Sequence, residues 1–168
     1  VVSEGGQQET LAYPFSAESL DITMPSGVGN AICVFAARHS LLFNGLENRS
    51  QFSPSQYEVA ATGGTVISRV LYNPTLVGGT WGVTNSQSSI EGAIDVGTGF
   101  SGGIYTGTSI ISSGQAKNSQ AVFGKTVTAR LPFGLDIDGA NPVTLALIAY
   151  ATGNNVTASF AFQWDELR

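Results

Sequence analysis

Charge is what this sequence has least of. Asp, Glu, Lys and Arg make up 11% of its 168 residues, and seven scattered cationic residues stand against twelve acidic ones, for a formal net charge of −5. Phosphate backbones and anionic lipid headgroups are held by clustered Lys and Arg, so no nucleic-acid partner is expected. The apolar runs fall far short of the ~20 residues that cross a bilayer as a helix, so no membrane insertion is expected either. The single cysteine, Cys33, leaves no intrachain disulfide to form. Its apolar surroundings, Ala31-Ile-Cys-Val-Phe-Ala-Ala37, predict a buried and inert thiol. The single histidine, His39, has no G-x-S-x-G to serve and adjoins Arg38, which predicts a hydrogen-bonding role at a strand end rather than a Ser-His-Asp site. One His and one buried Cys do not fill a zinc site. No G-x-G-x-x-G or G-x-x-x-x-G-K-[ST] opens a helical pattern, which removes nucleotide-dependent enzymes from the leading candidates.

Two acidic patterns come closest to chemistry. Asp136-Ile-Asp-Gly-Ala-Asn141 begins as a calcium loop does, with oxygens at alternate positions, but Leu147 stands where the closing bidentate Glu belongs, so the stretch reads as a tight polar turn. Glu91 and Asp95 are four apart and share one face of any strand, as the paired carboxylates of a glycosidase would. Carboxylates on surface strands are commonplace, however. The expectation is a protein with no catalytic residues, no metal and no cofactor.

What the chain does have is Gly, Ser, Thr and Asn between short apolar runs. No stretch of ten or more residues keeps a 3.6-residue period free of Gly or Pro. Strand candidates recur instead at spacings of roughly 8–12 residues, which predicts a single all-β domain over 11–168, an antiparallel β-sandwich or jelly roll, after a flexible polar arm at 1–10. Leu20, Ile22 and Met24 alternate as on a short strand, and 30–43, the most hydrophobic block of the first half, reads by its β-branched and aromatic residues as a buried strand, with 41–43 continuing or pairing with it. Residues 44–56 read as a polar loop. Strands are expected at 57–61 and 65–72, paired as a hairpin across Thr62-Gly-Gly64, then at 75–77, 80–84, 89–95, 104–105 with 110–112, and 121–131, with loops at 97–103 and 113–119. Near the end, Val143–Ala151 is apolar on both faces and Val156–Trp164 alternates. Across Thr152-Gly-Asn-Asn155 the two read as a closing hairpin, the first arm in the middle of a sheet and the second beside it.

Several of these segments carry a resemblance. Tyr57-Glu-Val-Ala-Ala-Thr-Gly-Gly-Thr-Val-Ile-Ser-Arg-Val-Leu-Tyr-Asn-Pro-Thr75, Gly79-Thr-Trp81, Ser101-Gly-Gly-Ile-Tyr-Thr-Gly107 and the ending Leu145–Glu166, which closes in an aromatic plus an acidic residue, resemble the C-terminal domain of bacteriophage tail fibres and tailspikes. The resemblance implies a small β-sandwich at the distal end of a homotrimeric virion appendage on the phage tail. It also implies contact with other tail proteins and with a host cell-surface polysaccharide or receptor. Residues 1–56 depart from that pattern, and no β-helical depolymerase body is expected ahead of the domain. The alternative is a virion jelly-roll protein without receptor function, such as a decoration, collar or baseplate-associated component. A third, enzymatic possibility, a glycan hydrolase or esterase, would use Asp95, Glu91 or His39. Sugar recognition stacks exposed rings on apolar sugar faces and meets hydroxyls with side-chain amides and carboxylates, and the candidates for that role are Trp81, Tyr72, Tyr105, Asn85 and Asp95.

Overall fold

The structure, a computed structural model, describes residues 12–93, 99–112, 116–118 and 141–167. These form fourteen strands and one 3-10 turn, Val28–Asn30. In chain order the strands are β1 (Ala12–Met24), β2 (Ile32–His39), β3 (Leu42–Phe43), β4 (Leu46–Glu47), β5 (Gln51–Thr62), β6 (Val66–Tyr72), β7 (Thr75–Val77), β8 (Trp81–Val83), β9 (Ile90–Ala93), β10 (Gly99–Ser101), β11 (Ile104–Ile111), β12 (Ala116–Asn118), β13 (Leu145–Ala151) and β14 (Val156–Leu167). Two sheets face each other, a larger one in the order β11-β6-β13-β2-β9-β8 and a smaller one in the order β1-β14-β5-β12. The ribbon β7–β10 and the hairpin β3–β4 lie outside both. The expected all-β sandwich is therefore what this chain forms.

The closing segment is not a hairpin. β13 lies in the large sheet between β6 and β2, whereas β14 lies in the small sheet between β1 and β5. The same holds for the predicted pair across Thr62-Gly-Gly64, because β5 belongs to the small sheet and β6 to the large one. Both turns are corners that carry the chain from one layer to the other, and they lie on each other. The backbone N–H of Thr152 donates to the carbonyl of Thr65 at 3.0 Å. Gly63, at φ +88°, runs so close that a Cβ there would stand 2.6 Å from the Asn155 carbonyl oxygen. Only glycine combines that dihedral with that approach.

Other expectations shift by local causes. The region 44–56 is not a loop. It holds β4 and the first half of β5, which Pro54 had disguised; Pro54 sits opposite Trp164 at a register shift, where a missing N–H is tolerated. Leu20 does not share a face with Ile22 and Met24, since β1 is irregular between Ser19 and Ile22, with Asp21 at φ 52°, and Leu20 is exposed. Strands β10 and β12 fall within the predicted loops 97–103 and 113–119, and the two expected pieces 104–105 and 110–112 are one strand, β11. The predicted strand 121–131 and most of the polar turn 136–141 lie outside the described residues.

The core fills the space between the sheets. Along β14, Phe160, Phe162 and Trp164 all point inward and are buried. The Phe162 ring meets Phe35 of β2 at 4.8 Å between centroids, and Trp164 stacks against Phe15 at 6.0 Å. Cys33 is buried on the other face of β2, and burial pushes its thiol up to about 12, the inert state expected. Replacing Phe162 by Ala removes the ring at the centre of this aromatic contact. It is expected to cost roughly 3–5 kcal/mol in a urea unfolding measurement, and a near-neutral result would show the inward face to be misassigned.

Candidate functional site on the outer face of the large sheet

The large sheet has two apolar faces, one toward the core and one outward. Cys33, Ala36, Leu71, Ala93, Ala146 and Ile148 form a second buried cluster on the outward side, and Leu76 of β7 and Phe100 of β10 pack over it. That ribbon explains why β13 is apolar on both faces. Around it, two arginines lie on aromatic rings.

The first stands at the β8 edge. Trp81 pairs across with Ala93, which pairs with Ala36, so all three share the outer face. The Arg38 guanidinium lies 4.1 Å from the centre of the Trp81 ring and donates from Nε to Glu91 at 3.0 Å. Arg38 and Glu91 line an open depression of about 490 Å³ with Leu41, Leu42, Val83 and Pro142.

The second stands near the other edge. Parity along β11 would place Tyr105 inward with Ser109 and Ile111, but the register shifts between Tyr105 and Gly107. Thr106 is the extra residue, and its hydroxyl donates to the Val70 carbonyl at 3.3 Å. This bulge turns Tyr105 to the outer face, opposite Leu71, where it is 56% exposed. Arg69 lies 5.2 Å from the centre of the Tyr105 ring and 5.4 Å from that of Tyr150, and donates to the Tyr150 hydroxyl at 3.2 Å.

Of the five residues expected to take a sugar, the four that are described therefore do not converge. Trp81 and Tyr105 are on the same face but on opposite edge strands, five spacings of about 4.8 Å, hence roughly 24 Å, apart. Tyr72 is half-buried at the end of β6, on the core-facing side opposite Ile104 and Leu145, and burial pushes its phenol up. Asn85 is in the turn after β8, where its side chain accepts from the Gln87 N–H at 2.9 Å, beside a separate depression lined by Phe15 and Trp164. Asp95 lies outside the described residues, so the Glu91–Asp95 pairing has no geometry here. Arg69 and Tyr150 were missed by the sequence reading. Alternation in 65–72 placed Arg69 on the face opposite Val66 and Val70, but its two tyrosine neighbours come from strands distant in the chain.

A polar constellation is buried at the far end of β14. Glu166 is 0% exposed; its carboxylate accepts from the Ser88 hydroxyl, from the Ser89 N–H at 2.9 Å and hydroxyl at 2.8 Å, and from the Trp164 indole at 3.2 Å. The Ser89 hydroxyl also meets that of Ser50, and Asn48 donates to the carbonyls of Ser40 and Ser89. His39 Nε2 donates to the Ser50 carbonyl at 2.9 Å, which fixes the Nε2–H tautomer. Serine, histidine and a carboxylate thus share one region, yet His39 donates to a backbone carbonyl, not a serine hydroxyl. His39, Ser89 and Glu166 are all shut away from solvent. The arrangement ties β2, the 48–50 link ahead of β5, the 84–89 turn and β14 together. Among the described residues no group of three His, Cys, Asp or Glu side chains is placed to hold a metal ion.

No protein-family profile matches the chain, and no curated protein or solved structure shows significant similarity to it.

Burial depresses the His39 imidazole below its ordinary 6.5, against weaker upward pulls from the Ser50 carbonyl and the Glu166 charge. The unfolded chain then binds the proton first, so the stability linked to His39 is present above about 6.5 and is lost as pH falls below it. Urea midpoints are expected to fall between about pH 7 and about pH 5, with a shallower fall in His39→Asn. An unchanged slope in that variant would assign the pH dependence to other groups.

Proposed function

We propose that this chain is a structural domain of a bacteriophage tail appendage that associates as a homotrimer and touches a host-surface glycan or receptor with the outer face of its large sheet. The observation that carries the reading is the strand order. Within it, β1-β14-β5-β12 faces β2-β13-β6-β11, and the chain passes between layers in successive pairs, β1 to β2, β5 to β6, β11 to β12 and β13 to β14. We read this as a jelly roll, an architecture used by viral capsid and lectin domains alike. Fold alone does not fix function. The resemblance of residues 57–168 to tail-fibre and tailspike ends supplies the virion setting, and rings clasped by arginines supply surfaces suited to sugars.

Self-association has its own support. The β3–β4 hairpin stands off both sheets with Leu42 63% and Leu46 73% exposed, and Val83 is 66% exposed across the neighbouring depression. Aliphatic side chains gathered at one end of a domain mark a contact surface. The same feature favours the second reading, a decoration, collar or baseplate-associated jelly roll held by its neighbours without receptor contact.

Light scattering of the isolated chain at micromolar concentration is expected to return three times the chain mass. A strict monomer would overturn the assembly claim. In a host-cell pull-down the chain is expected to be retained, and no retention selects the second reading.

A further inference from the structure

We propose that Arg69, with Tyr105 and Tyr150, forms a binding site for the acidic group of a glycan, so that the ligand is an acidic rather than a neutral sugar. The proposal deepens the host-contact reading and rests on it.

Among the described residues Arg69 is a cation without a counter-charge. Among the described residues Arg38 is paired with Glu91 and Arg49 with Glu47, whereas Arg69 has only ring faces and the Tyr150 hydroxyl for partners. The strands around it, β6, β11 and β13, contain no Asp or Glu. The outer-face residue of β9 that carries a carboxylate, Glu91, is three strand spacings away, roughly 14 Å. That exceeds the ~8 Å over which physiological salt screens exposed charges. On the described outer face of the large sheet, therefore, no carboxylate neutralises Arg69. A charge left unpaired on a half-buried guanidinium is one that an incoming oxyanion can neutralise.

The geometry supplies more than charge. Tyr150 is buried, and its hydroxyl takes one guanidinium N–H, so Arg69 is held in one orientation; among the described residues its remaining donors meet no acceptor and are placed for a forked bond to a carboxylate or phosphate. Tyr105, exposed and turned outward by the Thr106 bulge, offers a ring on which the apolar face of the same sugar can stack. Thr108 lies opposite Arg69 on β11 and is exposed, placing a hydroxyl within the same patch for a sugar oxygen. Bulges re-aim side chains at sites of function, and this one puts an exposed ring beside a cation. Carboxylate sugars and phosphorylated sugars share the chemistry that this site recognises.

The test is calorimetric titration of the full chain with three probes: a hyaluronan tetrasaccharide for the carboxylate, mannose 6-phosphate for the phosphate, and a cellotetraose of matched length and no charge. Binding of at least one acidic probe, at least tenfold tighter than cellotetraose, is expected. That binding should fall at least tenfold in Arg69→Gln, less in Arg69→Lys, which keeps charge but loses the fork, and again in Tyr105→Ala. Thermal melting of each variant checks that it folds, and Arg69→Lys serves as the conservative control if Arg69→Gln does not. Equal affinity for cellotetraose, or acidic-probe binding unchanged in folded Arg69→Gln, would overturn this proposal while leaving host contact standing. Absence of binding to all three probes by a trimeric chain would overturn it too; retention of that chain on host cells would then keep the broader reading alive.

Discussion

The constraint on which this molecule depends is that β13 must be covered twice. All seven of its residues are buried, so a single opposing layer is not enough. The aromatic side of β14, with Phe160, Phe162 and Trp164, closes the inner face from the small sheet. The β7–β10 ribbon closes the outer face through Leu76 and Phe100. Two-sided burial of an aliphatic strand of this kind is the usual mark of a sheet sandwiched between layers. Here the second layer is a two-stranded ribbon, and it leaves the rest of the outer face open for arginines and tyrosines.

The end of the sandwich is held by polar rather than apolar contacts. Burying a carboxylate is costly unless hydrogen bonds replace its water, and Glu166 gathers donors from a hydroxyl, a second hydroxyl with its backbone N–H, and an indole. Among the described residues no buried side-chain nitrogen or oxygen lacks a partner. Such a satisfied network discriminates against alternative registers of β14, because a slip by one residue would turn Glu166 away from its donors and carry Phe160, Phe162 and Trp164 to the opposite face with it.

Much of the architecture was legible in residue patterns. The alternation from Val156 to Trp164 marks a strand with one face in the core, and it is. The β-branched run around Cys33 marks a buried strand, and β2 fills that place. Layer assignment was harder, because a turn with two glycines or with Gly-Asn-Asn serves a hairpin and an interlayer corner equally. A signal was nevertheless present: strands side by side in one sheet share the cover on their outer face, so a doubly apolar arm followed by an alternating one points to different sheets. The candidate site was less legible. Tyr105 could be named as a ring, but its facing depends on a one-residue bulge that leaves no mark in the alternation, and Arg69 gained its partners only through the pairing of β6 with β11 and β13. Glu166 was named only as the acidic residue of the ending; its burial comes from the 84–89 turn folding across it.

The partnership of β1 with β14 also governs the order in which the fold can be made. Asp21 and Ser159, bonded at the irregularity of β1, are 138 positions apart, and among the described strands β14 is the one neighbour of β1, so that pairing waits until nearly the whole domain has emerged from the ribosome. Contacts of such sequence separation slow folding and leave an unsatisfied edge in the meantime. Pro14, Glu18 and Asp21 on that strand are the residue types that blunt an edge against foreign strands. The nascent chain thus carries its own protection through the interval before its late-arriving partner is available.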